Sequence, residues 1–215
     1  MIGILGIIAF IWNGYMSRYE DSFTIHIIGT ILIITLLFTL INKRDGTFVR
    51  SWIINFVGPI YIGYLLSHAL MLHYGLPEGY DGRDWLLFAV FTTFATDTGA
   101  YLIGRTWGRH QLAPMISPGK TWEGSVGGMV TTIAMSILLA SLLDLPLALW
   151  KVILLATFLG IIGQIGDLFE SALKRTAKAK HSGTLIAGHG GILDRIDSLL
   201  FTIPVTYYSL ISIIR

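Results

Sequence analysis

Apolar residues run along this chain in blocks long enough to cross a bilayer, broken by short polar stretches. Blocks near 2–16, 23–42, 51–71, 85–104, 122–143, 148–170 and 196–214 predict seven membrane helices. The fold class expected is all-α, a polytopic transmembrane helical bundle. The first block has no basic start and no small-residue cleavage site, so it does not read as a signal peptide.

Composition agrees with the pattern. The 215 residues are 53% hydrophobic and 13% charged, against about 25% charged in soluble domains. Mean hydropathy is +0.69. With no cysteine, disulfide and thiol chemistry are excluded. The net charge of +2 says less than its distribution. Three alternate loops, near 43–50, 105–121 and 174–195, hold eleven of the 15 Lys and Arg: Lys43, Arg44, Arg50, Arg105, Arg109, Lys120, Lys174, Arg175, Lys178, Lys180 and Arg195. Basic loops stay in the cytoplasm, which predicts an inside N-terminus and an outside C-terminus.

The acids sort as well. Glu20, Asp21, Glu78, Asp81, Asp84 and Asp144 fall in outer loops, and Asp45 in an inner one. Asp97, Glu123, Asp167, Glu170, Asp194 and Asp197 lie in or beside the last four predicted helices, toward their cytoplasmic ends. Solvated helix-end charges are the plain reading for one or two acids. Six on one side, interleaved with Gly, Lys and His, point to a site, because charge in a membrane segment is costly and marks function.

Asp167, Glu170, Ser171 and Lys174 share one face of the sixth helix by spacing, and Asp194 and Asp197 share a face at the start of the seventh. Carboxylates on two neighbouring helices suit Mg²⁺, which takes hard oxygen ligands and completes its shell with phosphate and water. Zn²⁺ is disfavoured: cysteine is absent, and His181 and His189 lack a compact pair spacing. Gly188-His189-Gly190-Gly191 reads either as a tight turn or as an anion cradle at a helix start. The neighbouring Asp194 and the preceding Lys174, Arg175, Lys178 and Lys180 favour phosphate beside metal.

Two further clusters stand upstream. Ser117-Pro118-Gly119-Lys120-Thr121-Trp122-Glu123-Gly124 opens the fifth helix. A Walker A reading fails, since Pro114 stands where glycine is needed and no strand precedes it. Lys120 is left as a phosphate contact, Ser117 as a helix cap and Trp122 as an interfacial aromatic. Asp97 lies within Ala95-Thr96-Asp97-Thr98-Gly99-Ala100-Tyr101, either as a site acid or as a structural hydrogen-bond partner between closely packed helices. Gly124, Gly128, Gly160, Gly163 and Gly166 are expected to serve packing. His26, His68 and His73 are read as interfacial or packing residues.

At these residues the chain resembles the bacterial CDP-diacylglycerol synthases, the phosphatidate cytidylyltransferases. That family's long signature is matched in register by Ser171, Lys174, Arg175, Lys180, Gly188, His189, Gly190, Gly191, Asp194, Arg195 and Asp197. Its upstream segments are matched by 97–101 and 117–124. The resemblance covers roughly 50–215, which divides the chain into N-terminal membrane helices, 1–50, shorter than the family norm, and a catalytic transmembrane domain, 51–215. His181 stands where the signature has Asp, and Ala187 where it has Pro.

The resemblance implies transfer of the cytidylyl group of CTP to phosphatidate, giving CDP-diacylglycerol and pyrophosphate at the cytoplasmic face of the inner membrane. It implies Mg²⁺ on Asp167 and Asp194, with K⁺ as a candidate monovalent partner. Asp97 and Asp197 support that site as catalytic residues. Lys174, Arg175, Lys180 and Arg195 hold phosphates. Ser117, Lys120 and the Gly188-His189-Gly190-Gly191 loop line the substrate pocket. A homodimer is implied and a nucleic-acid partner is not. Alternatives are an inactive or divergent paralogue, suggested by His181, and an ion-coupled transporter, which predicts midplane acids on both halves of an internal repeat. No repeat is found, and the Asp-Gly…Ala-Arg motif of a CDP-alcohol phosphotransferase is absent.

Overall fold

The computed structural model describes residues 2–16, 23–42, 47–177 and 193–214, with backbone alone for 2, 42, 193–195 and 214. Its described residues form helices α1 (Ile2–Met16), α2 (Thr24–Asn42), α3 (Phe48–Tyr74), α4 (Gly82–Trp107), α5 (Trp122–Leu142), α6 (Leu149–Thr176) and α7 (Leu193–Ile214). A short antiparallel hairpin, β1 (Gln111–Ala113) and β2 (Ser117–Thr121), joins α4 to α5. The all-α expectation holds. Helices α2 to α7 each contain a span long and apolar enough to cross a membrane, and α1 is apolar but shorter. The chain is a multi-pass membrane protein.

The chain divides into two compact units, residues 1–82 and 83–215. In the first, α1 packs closely on α3. A Cβ on Gly63 would collide with Ile7, and one on Gly14 with Ser67. Pro59 has no N–H for the preceding turn, and a π turn follows it over Ile60–Tyr64. His68 is buried, with Nδ1 2.8 Å from the Tyr64 carbonyl, which is a packing role as expected. Asn13 joins α1 to α2: its amide donates to Thr24 Oγ1 (3.0 Å) and its Oδ1 accepts from Phe23 N (2.9 Å).

In the second unit, small residues let α4 and α5 touch backbone to backbone. A Cβ on Gly99 would fall on Thr131, one on Gly124 on the Ala100 carbonyl, and one on Gly128 beside Thr96 and Ala100. Hydroxyls cross the same seam: Thr96 with Thr132 (2.6 Å), Thr92 with Ser136 (3.3 Å) and Thr131 Oγ1 to the Ala95 carbonyl (2.9 Å). Thr93 reaches Thr202 on α7 (2.8 Å). Gly160 sits against Met129, Gly163 against Thr202 and Gly166 against Phe201, so the packing roles read for these glycines are borne out.

Helix α6 runs six residues past the predicted end at 170. The Glu170–Lys174 ion pair (i, i+4) supports its last turns, and Lys174 and Arg175 complement its C-terminal dipole. The predicted loop 105–121 contains the hairpin, paired Gln111 to Thr121 and Ala113 to Ser117.

Candidate active site

The site is built where α4, the hairpin, α5 and α6 meet. Thr121, extended at φ −125° and ψ 154°, caps α5 by accepting the Gly124 N–H on Oγ1 (3.1 Å). The cap expected at Ser117 is thereby corrected: Ser117 pairs with Ala113 inside the hairpin, four residues too early. Glu123, in the first turn of α5, fastens the other end of the hairpin. Its Oε2 accepts from the backbone N–H of Arg109 (3.1 Å) and His110 (3.2 Å), and its Oε1 lies 2.6 Å from His110 Nδ1. The Trp122 N–H donates to the His110 carbonyl (2.9 Å). From α6, Arg175 Nε donates to the Ile116 carbonyl at the hairpin tip (3.2 Å). Held at both ends, the hairpin carries Lys120 inward, where Nζ lies 2.6 Å from Asp167 Oδ2.

A cavity of about 420 Å³ opens there, within the size range of small-molecule sites. Asp97, Tyr101, Gly104 and Arg105 line it from α4, Gly119, Lys120 and Thr121 from the hairpin, Ser125 from α5, and Gln164 and Asp167 from α6. Asp97 is accessible from this cavity, which favours a site acid over a buried structural partner. Asp197 on α7 is buried and accepts the Ser198 N–H on Oδ1 (2.7 Å). The Ser198 hydroxyl also bonds Asp97. Gln164 is held by Ser125, whose hydroxyl donates to Oε1 and whose carbonyl accepts from Nε2 (3.2 Å).

Asp97, Asp167 and Asp197 lie within one another's electrostatic reach. The cations near them are Lys120 and Lys174, and Lys174 is already paired with buried Glu170. Three carboxylates against the single ammonium of Lys120, itself paired with Asp167, leave the cluster anionic. Among the described residues no three His, Cys, Asp or Glu converge as a preformed metal cage. The donor set is hard oxygen, the chemistry of a cation that brings its own waters and phosphate ligands, as Mg²⁺ does.

Of the residues expected at a site, Asp97, Lys120 and Asp167 meet in the cavity, with Asp197 and Lys174 beside them. Arg175 and Ser117 belong to the hairpin contacts. Glu123, one of the six clustered acids, faces His110. Asp194 and Arg195 lie in the first turn of α7. Lys180, His181, Gly188, His189, Gly190 and Gly191 lie outside the described residues. Arg105, Ser125, Gln164 and Ser198 were not singled out from sequence as site residues. Gln164 carried a signal: it is a lone amide in an apolar run, three residues before Asp167 and therefore on its face.

The family described as the Cytidylyltransferase family matches residues 1–213. A Bacillus subtilis (strain 168) protein named phosphatidate cytidylyltransferase is 35% identical over 218 residues, covering 98% of this chain and 77% of that one. Proteins of the same name from Staphylococcus haemolyticus and Staphylococcus saprophyticus are 38% identical over 173 residues and 44% over 133. These alignments cover 80% and 62% of this chain, but 64% and 51% of those proteins, so the chain spans about half to two thirds of their length.

Proposed function

The chain belongs to the cytidylyltransferase family, and from that membership we propose that it transfers the cytidylyl group of CTP to phosphatidate. The phosphatidate oxygen bonds to the α-phosphorus of CTP, the bond from that phosphorus to the β-phosphate bridging oxygen breaks, and pyrophosphate leaves. CDP-diacylglycerol remains in the membrane. The observation that carries this reading is the cavity itself, where Lys120 and a cluster of carboxylates occupy one polar pocket among membrane-spanning helices. Carboxylates repel polyanionic substrates, so such a cluster serves phosphoryl chemistry only with a cation bound.

Asp167 and Asp194 would hold Mg²⁺, with Asp97 and Asp197 extending the site and K⁺ a candidate second ion. When bound, Mg²⁺ supplies charge neutralisation for the triphosphate and the leaving pyrophosphate. Lys120 approaches a phosphate from the hairpin. Lys174, Arg175, Lys180 and Arg195 form the basic rim, Gly188-His189-Gly190-Gly191 shape the substrate pocket, and Ser117 serves it through the hairpin that carries Lys120. The protein's own work is positioning two polyanions in line and excluding water between them. The catalytic portion is 51–215. The site faces the cytoplasm of a cell membrane, since the basic loops lie on that side, and the protein acts as a homodimer.

Purified protein in detergent, given labelled CTP, Mg²⁺ and phosphatidate, is expected to form CDP-diacylglycerol and pyrophosphate in equal amounts. Absence of product under every metal condition overturns the proposal.

A further inference from the structure

The cavity has two poles. On α4, Asp97, Tyr101 and Arg105 are four residues apart and all line it. Eight residues of helix separate Asp97 from Arg105 by about 12 Å, and Arg105 lies in the last turn of α4, so the anionic cluster lies deeper along the helix than Arg105. Lys120, the lining cation at depth, is committed to Asp167. Arg105 is committed to no acid among the described residues. Its Nη1 donates to the neutral Tyr101 hydroxyl (2.7 Å), and its guanidinium carbon lies 5.9 Å from the Tyr101 ring centroid. That hydroxyl fixes one edge of the guanidinium and leaves the remaining N–H groups for an incoming anion.

Exposed apolar side chains stand beside the Arg105 end of the cavity. Tyr101 is 60% and Leu102 54% exposed on a membrane-spanning helix. Trp107 and Trp122, 69% and 58% exposed, stand nearby at the ends of α4 and α5, where interfacial aromatics are found. Tyr101 is six residues deeper than Trp107, about 9 Å toward the bilayer centre. A polar, cationic notch just below the interface, beside exposed apolar side chains, matches an anion that arrives attached to acyl chains. A free nucleotide has no such apolar body to place there.

We propose that Arg105, held by Tyr101, is the residue that takes the phosphomonoester headgroup of the lipid substrate, with the acyl chains against Tyr101 and Leu102. The proposal rests on the cytidylyltransfer reading and assigns the lipid subsite within it. Arginine suits the task because its planar fork binds phosphate bidentately, which a lysine ammonium does not.

Steady-state kinetics in mixed micelles test it, with phosphatidate and CTP varied in turn. R105A is expected to raise the KM for phosphatidate about 10- to 100-fold, the loss of a charged hydrogen-bonded contact, with the KM for CTP within about twofold. R105K is expected to recover only part of the loss, and Y101F to show a smaller rise in the same KM. An unchanged KM for phosphatidate, or equal rises for both substrates, overturns the assignment. A second arm needs no turnover: retention of dioleoyl-phosphatidate against dioleoyl-phosphatidylcholine by detergent-purified protein, read by native mass spectrometry. Wild type is expected to prefer phosphatidate and R105A to lose the preference. Equal preference in both overturns the Arg105 assignment, whereas a wild type that binds phosphatidate but makes no product overturns the reaction alone.

Discussion

Substituting alanine for Gly99 should push α4 off α5 and damage the site two residues away. The added Cβ would fall on the Oγ1, Cγ2 and Cβ of Thr131, a β-branched side chain with no free end to swing aside. Thr131 is also held in place, its hydroxyl shared between the Ala95 carbonyl across the seam and the Gly128 carbonyl of its own helix, both at 2.9 Å. Overpacking of this kind costs about 1–3 kcal/mol, and loss of one interhelical hydroxyl bond adds about 0.6 kcal/mol. For a chain of this size a total near 2–3 kcal/mol lowers the unfolding midpoint by roughly 4–12 °C. Asp97 lies on the displaced stretch of α4, and an error of about 1 Å in a reacting group costs up to about 10²-fold in rate. Unfolding is followed by tryptophan fluorescence in detergent, and activity by CDP-diacylglycerol formation at 25 °C. T131G removes the three atoms nearest the new Cβ, so G99A/T131G should be more stable than the sum of the single effects by about 1 kcal/mol or more. An unchanged midpoint for G99A, or strict additivity in the double variant, refutes the reasoning.

Four further outcomes are expected. K120M leaves Asp97 and Asp167 without the ammonium beside them and should lower kcat/KM about 10²-fold or more with the elution profile unchanged; near-native turnover removes Lys120 from the site. E123A releases the Arg109 and His110 N–H groups, so limited trypsin digestion should cut faster at Arg109 and activity should fall, while E123Q, which still accepts from the backbone, keeps most of both. Equal cleavage of E123A and wild type would show that the clasp does not order the hairpin. D194N should abolish Mg²⁺-dependent turnover, and a variant that turns over at the native rate refutes the metal-ligand role. H181D should match or exceed the native rate, since it restores the acid of the family signature; a large loss would identify the histidine as an adapted catalytic residue.

The helices were legible because long apolar runs have few other solutions in lipid. Their polar ends were not: Ser171–Thr176 reads as loop by hydropathy, yet the Glu170–Lys174 pair and the terminal basic residues extend α6 through it. The hairpin gave no alternating signal, since its strands have three and five residues and carry Pro118 and Gly119. Its presence moved the α5 cap from Ser117 to Thr121. Acids in an oily chain located the site, and Asp97, Asp167 and Asp197 do gather. The same signal also marked Glu123 and Glu170, which do other work. Glu123 and Gly124 are one residue apart, about 100° around the helix. That rotation turns the carboxylate toward His110, while Gly124 lines the cavity. Hydropathy reports that a charge is present but carries no information about that angle. The angle comes from the seam that brings α5 against α4, where Gly124 meets the Ala100 carbonyl and Gly128 meets Thr96. The glycines read as packing residues are therefore what decides which acids face the cavity.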